Sequence, residues 1–174
     1  MKAYTQGMAV AHLVPVHEYL ATAFEFPTEY LDGQLLPKPM PKWFHSRIQL
    51  WLGVLLLQRF PAYAFGSEQI CRLSDSEFRL PDIAVELVSE AGQNTTATSP
   101  LFLAIEILSP DDSLGKTFAK LERYHAWGTP FCWLIDPDRR ACWTYHKGET
   151  PIQVQHSIAA GDIHLPVAEI FSIL

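Results

Sequence analysis

The sequence predicts a mixed α/β fold, a β-sheet with helices packed on its faces. Two stretches carry that prediction. The apolar run LFLAIEIL, Leu101–Leu108, reads as a strand buried on both faces; it is followed by the helical pattern DSLGKTFAKLERYHAWG and then by a further strand, FCWLID. A leucine-rich helix precedes the strand-rich middle of the chain, so strands and helices alternate through most of its length.

The elements follow in order. VPVHEYLATAF, from Val14, predicts a short opening helix; FPTEYLDGQLLPKPMP predicts a turn, a strand around Asp32 and Gly33, and a proline-rich exit. From Lys42 to Phe60 the apolar positions Phe44, Ile48, Trp51 and Leu55 recur at helical spacing, and Pro61 ends that helix. AYAFGSEQICRL, LPDIAVELV and LFLAIEIL predict extended segments, with polar SDSEF between the first two and an exposed loop, SEAGQNTTATSP, before the third. The next helix has Asp112 or Ser113 as N-cap and Gly128 as its stop, with Leu114, Phe118, Leu121 and His125 on one stripe. FCWLID, ACWTYHKG and PIQVQH predict more strands, Asp136 and Pro137 start a turn, and PVAEIFSIL predicts a closing helix.

Composition sets bounds on this picture. A length of 174 residues suits one domain over residues 1–174, with residues 1–12 expected to be flexible. Apolar residues make up 48% and charged residues 18%, which excludes a disordered chain. The longest apolar stretch, LWLGVLLL, is far below the roughly 18–20 residues of a membrane helix, and the start of the chain does not read as a signal peptide. Cys71, Cys132 and Cys142 have neither paired nor metal-ligand spacing, so they are expected in the core of a cytoplasmic protein. A net charge of -6 restricts any nucleic-acid surface to a local basic patch.

Glu106 interrupts the apolar run, and an unpaired buried carboxylate costs several kcal/mol, so it requires a partner or a purpose. Asp82, directly after Pro81, stands at the mouth of another apolar strand. Two acids on neighbouring buried strands repel unless a cation lies between them, and Mg²⁺ takes such oxygen ligands, leaving other positions to water and phosphate. A site of this kind supports phosphodiester hydrolysis. On the helix that follows, Lys120 falls between Tyr124 and Trp127 on the wheel, away from the Leu114, Phe118, Leu121 stripe, with Lys116 and Arg123 on its side. Plain alternatives stand beside these readings: Asp82 as a strand-start residue, Lys120 as a surface lysine, and His45 as a local hydrogen-bonding residue or a phosphate contact.

The order PD (Pro81, Asp82), EILSP (from Glu106), KLERY (from Lys120) and WLIDP (from Trp133) resembles a large bacterial family of restriction-endonuclease-like proteins, similar to the PD-(D/E)xK nuclease superfamily. HEYLA, EYLDG (from Glu29) and FHSRI (around His45) extend the resemblance over most of residues 16–145. It implies a restriction-endonuclease-like mixed sheet flanked by helices, with Asp82 and Glu106 as metal ligands; in the mechanism expected here the backbone carbonyl of Ile107 is a candidate further ligand. The position two residues after Glu106, where the superfamily's lysine would stand, is Leu108, so the resemblance points to Lys120 as the lysine that positions water, with Tyr124 helping to hold it. Lys116 departs from an acidic residue common in the family, and Glu29 matches a glutamate that approaches the site in related folds.

The expected function is Mg²⁺- or Mn²⁺-dependent hydrolysis of DNA. A catalytically degenerate module binding nucleic acid or a protein partner is the alternative, and an RNA or small-nucleotide hydrolase would share the metal site. A homodimer would bring two sites to a duplex.

Overall fold

The computed structural model describes residues 13–89, 91, 96–110 and 112–174. The lead-in expected to be flexible, residues 1–12, and residues 90 and 92–95 of the expected loop lie outside them.

A short helix α1 (Val16–Ala21) leads into the hairpin β1 (Thr28–Leu31) and β2 (Gln34–Pro37). Here the structure corrects the expected single strand around Asp32 and Gly33. Both residues have positive φ, 48° and 87°, and form the tight turn between two strands, as an Asp-Gly pair favours. The long helix α2 (Trp43–Arg59) ends at Phe60, before Pro61. Next come β3 (Tyr63–Ser67), β4 (Ile70–Ser74), β5 (Glu77–Arg79), β6 (Ile83–Leu87), β7 (Thr96–Ala97) and β8 (Leu103–Ile107). The segment SDSEF, expected as a polar separator, contributes β5 in part, and the expected loop after β6 contains β7, paired parallel to β4.

Helix α3 (Leu114–Trp127) connects β8 to β9 (Phe131–Asp136), which runs parallel to it. Ser113 is the N-cap, and Gly128 closes the helix at φ 127°. The chain finishes with β10 (Ala141–His146), β11 (Ile152–Val154), the hairpin β12 (Ser157–Ala160) and β13 (Ile163–Pro166), and α4 (Val167–Ile170). The β12–β13 hairpin was not expected from the sequence.

The strands form a six-stranded mixed sheet, β11-β10-β9-β8-β6-β3, and a five-stranded sheet, β2-β1-β5-β4-β7. Side-chain alternation gives the larger sheet two apolar faces. Val85, Ile105 and Trp133 meet Ile48, Leu52 and Leu56 of α2, while Ala84, Ala104 and Leu134 meet Leu121 and Tyr124 of α3. Each such Leu or Ile, fully buried, stabilises the fold by about 1.5–3 kcal/mol. Because α2 is apolar on most sides, its expected stripe is displaced: His45, Ile48, Leu52, Leu55 and Leu56 are buried, whereas Phe44 is exposed. On α3 the buried residues are Leu121, Tyr124 and His125, and Leu114 faces solvent.

Candidate active site

The candidate site lies where the two sheets meet. Ile83 pairs with Ile105 across antiparallel strands β6 and β8, and extending that register by one residue sets Asp82 opposite Glu106. By alternation Glu106 shares the face of Ala104, the face that α3 covers, and this is why a lysine from α3 can reach it. The smaller sheet supplies Glu29 from β1, where Tyr30 pairs with Phe78 of β5, and β5 runs into Leu80, Pro81 and Asp82.

Asp82 is 1% exposed and is held from several sides. Its Oδ2 accepts the peptide N–H of Ile107 at 2.6 Å and lies 3.2 Å from His45 Nε2. Its Oδ1 is 2.7 Å from Lys38 Nζ, and Gln49 donates to its main-chain carbonyl at 2.8 Å. Burial alone would raise the pKa of this carboxyl, but the hydrogen bond from His45 and the Lys38 ammonium hold it well below the usual carboxylate range. His45 Nδ1, also buried, has no hydrogen-bond partner among the described residues.

Glu106 is buried at the end of β8, with Lys120 Nζ 2.8 Å from its Oε1. Tyr124 donates to the same oxygen at 3.1 Å, so it holds Glu106 and not, as expected from the sequence, Lys120. Burial raises the Glu106 pKa to about 7, with Asp82 adding to the rise and Lys120 and Lys38 opposing it. Lys120 also lies 2.6 Å from Glu29 Oε1 and donates to the Leu80 carbonyl at 3.4 Å. Glu29 is fixed in turn by the Leu80 N–H at 3.0 Å and by Arg79 at 2.9 Å; burial opposes its charge, yet Lys120 and Arg79 lower its pKa.

The structure thus brings together Asp82, Glu106, Lys120, Glu29, His45 and Tyr124, with Ile107 lining the same groove of about 890 Å³. It does not bring in Lys116, which is exposed on the first turn of α3 and outside the groove lining. Arg123 is also spent elsewhere, on the buried Glu77 at 2.9 Å, so the local basic face expected from Lys116, Lys120 and Arg123 does not form.

Sequence reasoning missed two residues. Lys38 Nζ sits 2.7 Å from both Asp82 and Glu68 and donates to Leu80 O at 3.0 Å. Glu68, between β3 and β4, has φ 53°, an uncommon backbone for a non-glycine residue. The only cue for Lys38 was a lone cation among Pro37, Pro39 and Pro41, and no periodicity links it to β6.

Among the described residues, no three His, Cys, Asp or Glu side chains group as a ready-made metal cage. Each of two ammoniums stands between carboxylates, Lys38 between Asp82 and Glu68 and Lys120 between Glu29 and Glu106. At formal charge Glu29, Glu68, Asp82 and Glu106 against Lys38 and Lys120 leave an excess of two negative charges, four minus two, which Arg79 behind Glu29 and the raised pKa of Glu106 both reduce. Oxygen donors with excess negative charge are of the kind Mg²⁺ takes.

Facing acids on adjacent strands, a lysine from the following helix and a mixed sheet covered by helices define a restriction-endonuclease-like protein. Comparison with known proteins agrees: the family described as "Uma2: Putative restriction endonuclease" matches residues 17–170, and the chain belongs to that family. Among solved structures the chain is similar to a protein from Anabaena variabilis ATCC 29413 described as a "putative nuclease belonging to DUF820". The identity is 26%, the TM-score is 0.79, and the match covers 91% of this chain and 98% of that one. No curated protein gives a significant match.

Proposed function

We propose that this groove is a Mg²⁺-dependent phosphodiesterase site that hydrolyses DNA. The observation that carries the reading is the placement of Asp82 opposite Glu106 with the Lys120 ammonium 2.8 Å from Glu106. Asp82, Glu106 and the Ile107 carbonyl would hold the ion, which when bound polarises the phosphate and lowers the pKa of water. Lys120, supported by α3 and by Glu29, orients the attacking water and balances charge gathering on the phosphate. Tyr124, by donating to Oε1, would hold in place the Glu106 carboxylate that binds the ion. His45 and the Ile107 N–H do the same for Asp82.

DNA as substrate draws on the family description, which speaks of restriction endonucleases. We read residues 1–174 as one domain acting in the cytoplasm, in keeping with three buried, unpaired cysteines. A homodimer would present two sites to the two strands of a duplex. Among the described residues no helix is long and apolar enough to cross a membrane. A second reading, a nuclease-fold module that binds without cleaving, draws on the internal neutralisation of Asp82 by Lys38.

Nicking of supercoiled plasmid in about 5–10 mM Mg²⁺ or Mn²⁺, a range that fills weak carboxylate sites, separates the two. Cleavage by the wild type that is lost in Glu106→Gln is expected. Absence of cleavage in both, with no heat of metal uptake, would favour the binding module.

A further inference from the structure

Lys38 is the residue the proposed chemistry leaves without a task. Its ammonium has three donors, and three oxygens receive them: Asp82 Oδ1 at 2.7 Å, Glu68 Oε2 at 2.7 Å and the Leu80 carbonyl at 3.0 Å. Two carboxylates and a carbonyl around one point are also the ligand types that a hard divalent cation selects. Asp82, a ligand in the proposed metal set, is therefore already engaged by a cation belonging to the chain.

We propose that Lys38 is a tethered counter-cation on Asp82, the one carboxylate it shares with the proposed metal set, and that a divalent ion loads by displacing it from Asp82. This rests on the metal-site reading above. Lys38 differs from Lys120 in its support. Lys120 projects from the middle of a helix onto Glu29 and Glu106, whereas Lys38 follows the last residue of edge strand β2 and is anchored there by its own N–H to the Pro27 carbonyl at 2.8 Å. The two side chains are about equally exposed, 17% for Lys38 and 16% for Lys120, so the difference between them lies in that support. Glu68, the other carboxylate it binds, is at the turn between β3 and β4 and is 28% exposed, so it can follow Lys38 outward without breaking a strand. In the metal-free protein the ammonium keeps Asp82 charged and in position. With the ion on Asp82, an ammonium 2.7 Å from the same carboxylate would be repelled by the ion, like charge against like.

The test titrates wild type and Lys38→Met with Mn²⁺ by calorimetry, and maps acetylation of the wild-type lysines by mass spectrometry with and without saturating Mn²⁺. Lys38→Met is expected to bind Mn²⁺ about tenfold more tightly or better, the scale of removing one close unit charge. In the wild type, Lys38 is expected to be protected without Mn²⁺ and labelled with it, while the exposed Lys116 is labelled equally in both. Equal affinity of the two proteins, or a Lys38 that stays protected at saturating Mn²⁺, overturns the proposal while the metal site stands. No Mn²⁺ uptake by either protein removes the metal site itself and this proposal with it. The wild-type labelling decides the matter if Lys38→Met does not fold.

Discussion

Glu106 and Lys120 form an ion pair at 2.8 Å between consecutive elements, the carboxylate from β8 and the ammonium from α3. The short connection between strand and helix fixes where that ammonium stands, because α3 must turn back across the sheet to reach β9. Removing the ammonium while keeping an apolar stem isolates its charge. Lys120→Met is expected to lower plasmid nicking by about 100-fold or more, the scale of losing one preorganised donor to transition-state charge. Calorimetry should still detect Mn²⁺ uptake; its complete loss would instead make Lys120 part of the metal site's scaffold.

Glu106 is expected to make stability and metal uptake depend on pH. Burial and Asp82 raise its pKa from 4.5 to about 7 in the fold, against the pull of Lys120 and Lys38. A carboxyl with a raised folded pKa binds its proton more tightly when folded, so its contribution to stability is fully present below pH 4.5 and is lost as pH rises through 7. The difference in melting temperature between wild type and Glu106→Gln is expected to shift against the wild type across that window. Metal uptake runs the other way, because the ion needs the ionised carboxylate: Mn²⁺ affinity should rise with pH through about 7. A pH-independent affinity would rule Glu106 out as the linked group.

Tyr124 is fully buried and donates to Glu106. Phenylalanine keeps the ring and removes the donor, so Tyr124→Phe is expected to destabilise the protein by about 0.5–1.5 kcal/mol in urea unfolding. It should also weaken Mn²⁺ binding, since one Glu106 oxygen loses an aligning bond. An unchanged unfolding midpoint would mean that water replaces the hydroxyl at no loss.

Gly128 tests the geometry that carries α3 into β9. Its φ is 127°, and a Cβ there would lie 2.7 Å from Pro100 Cγ, in a ring that cannot swing away. Gly128→Ala is expected to lower stability by about 1–3 kcal/mol, as strained backbone does. Below its melting temperature the variant should retain Mn²⁺ uptake, because Asp82 and Glu106 belong to other elements.

Three of the residues at the centre of the site were legible in the sequence for local reasons. Glu106 broke an apolar run, Asp82 followed a proline at a strand mouth, and Lys120 lay within a periodic helix. The order of strands and helices followed from the same short-range patterns. Where a local signal was weak, as in the three-residue β5 or the hairpin of β12 and β13, the pattern showed no strand. α2 offered little contrast between its faces, so its buried side was misplaced. Tertiary structure alone decided who meets whom. Tyr124 turned to Glu106, Arg123 went to Glu77, and Lys38, just past the end of β2, reached both Asp82 and Glu68 at the meeting of two sheets. Periodicity and capping report on neighbours along the chain, whereas these contacts depend on strand pairing between distant segments. By itself, then, the sequence determined the fold class and singled out the two acids and the lysine that meet in the candidate groove, and the packing of one sheet against the other decided which charges they face.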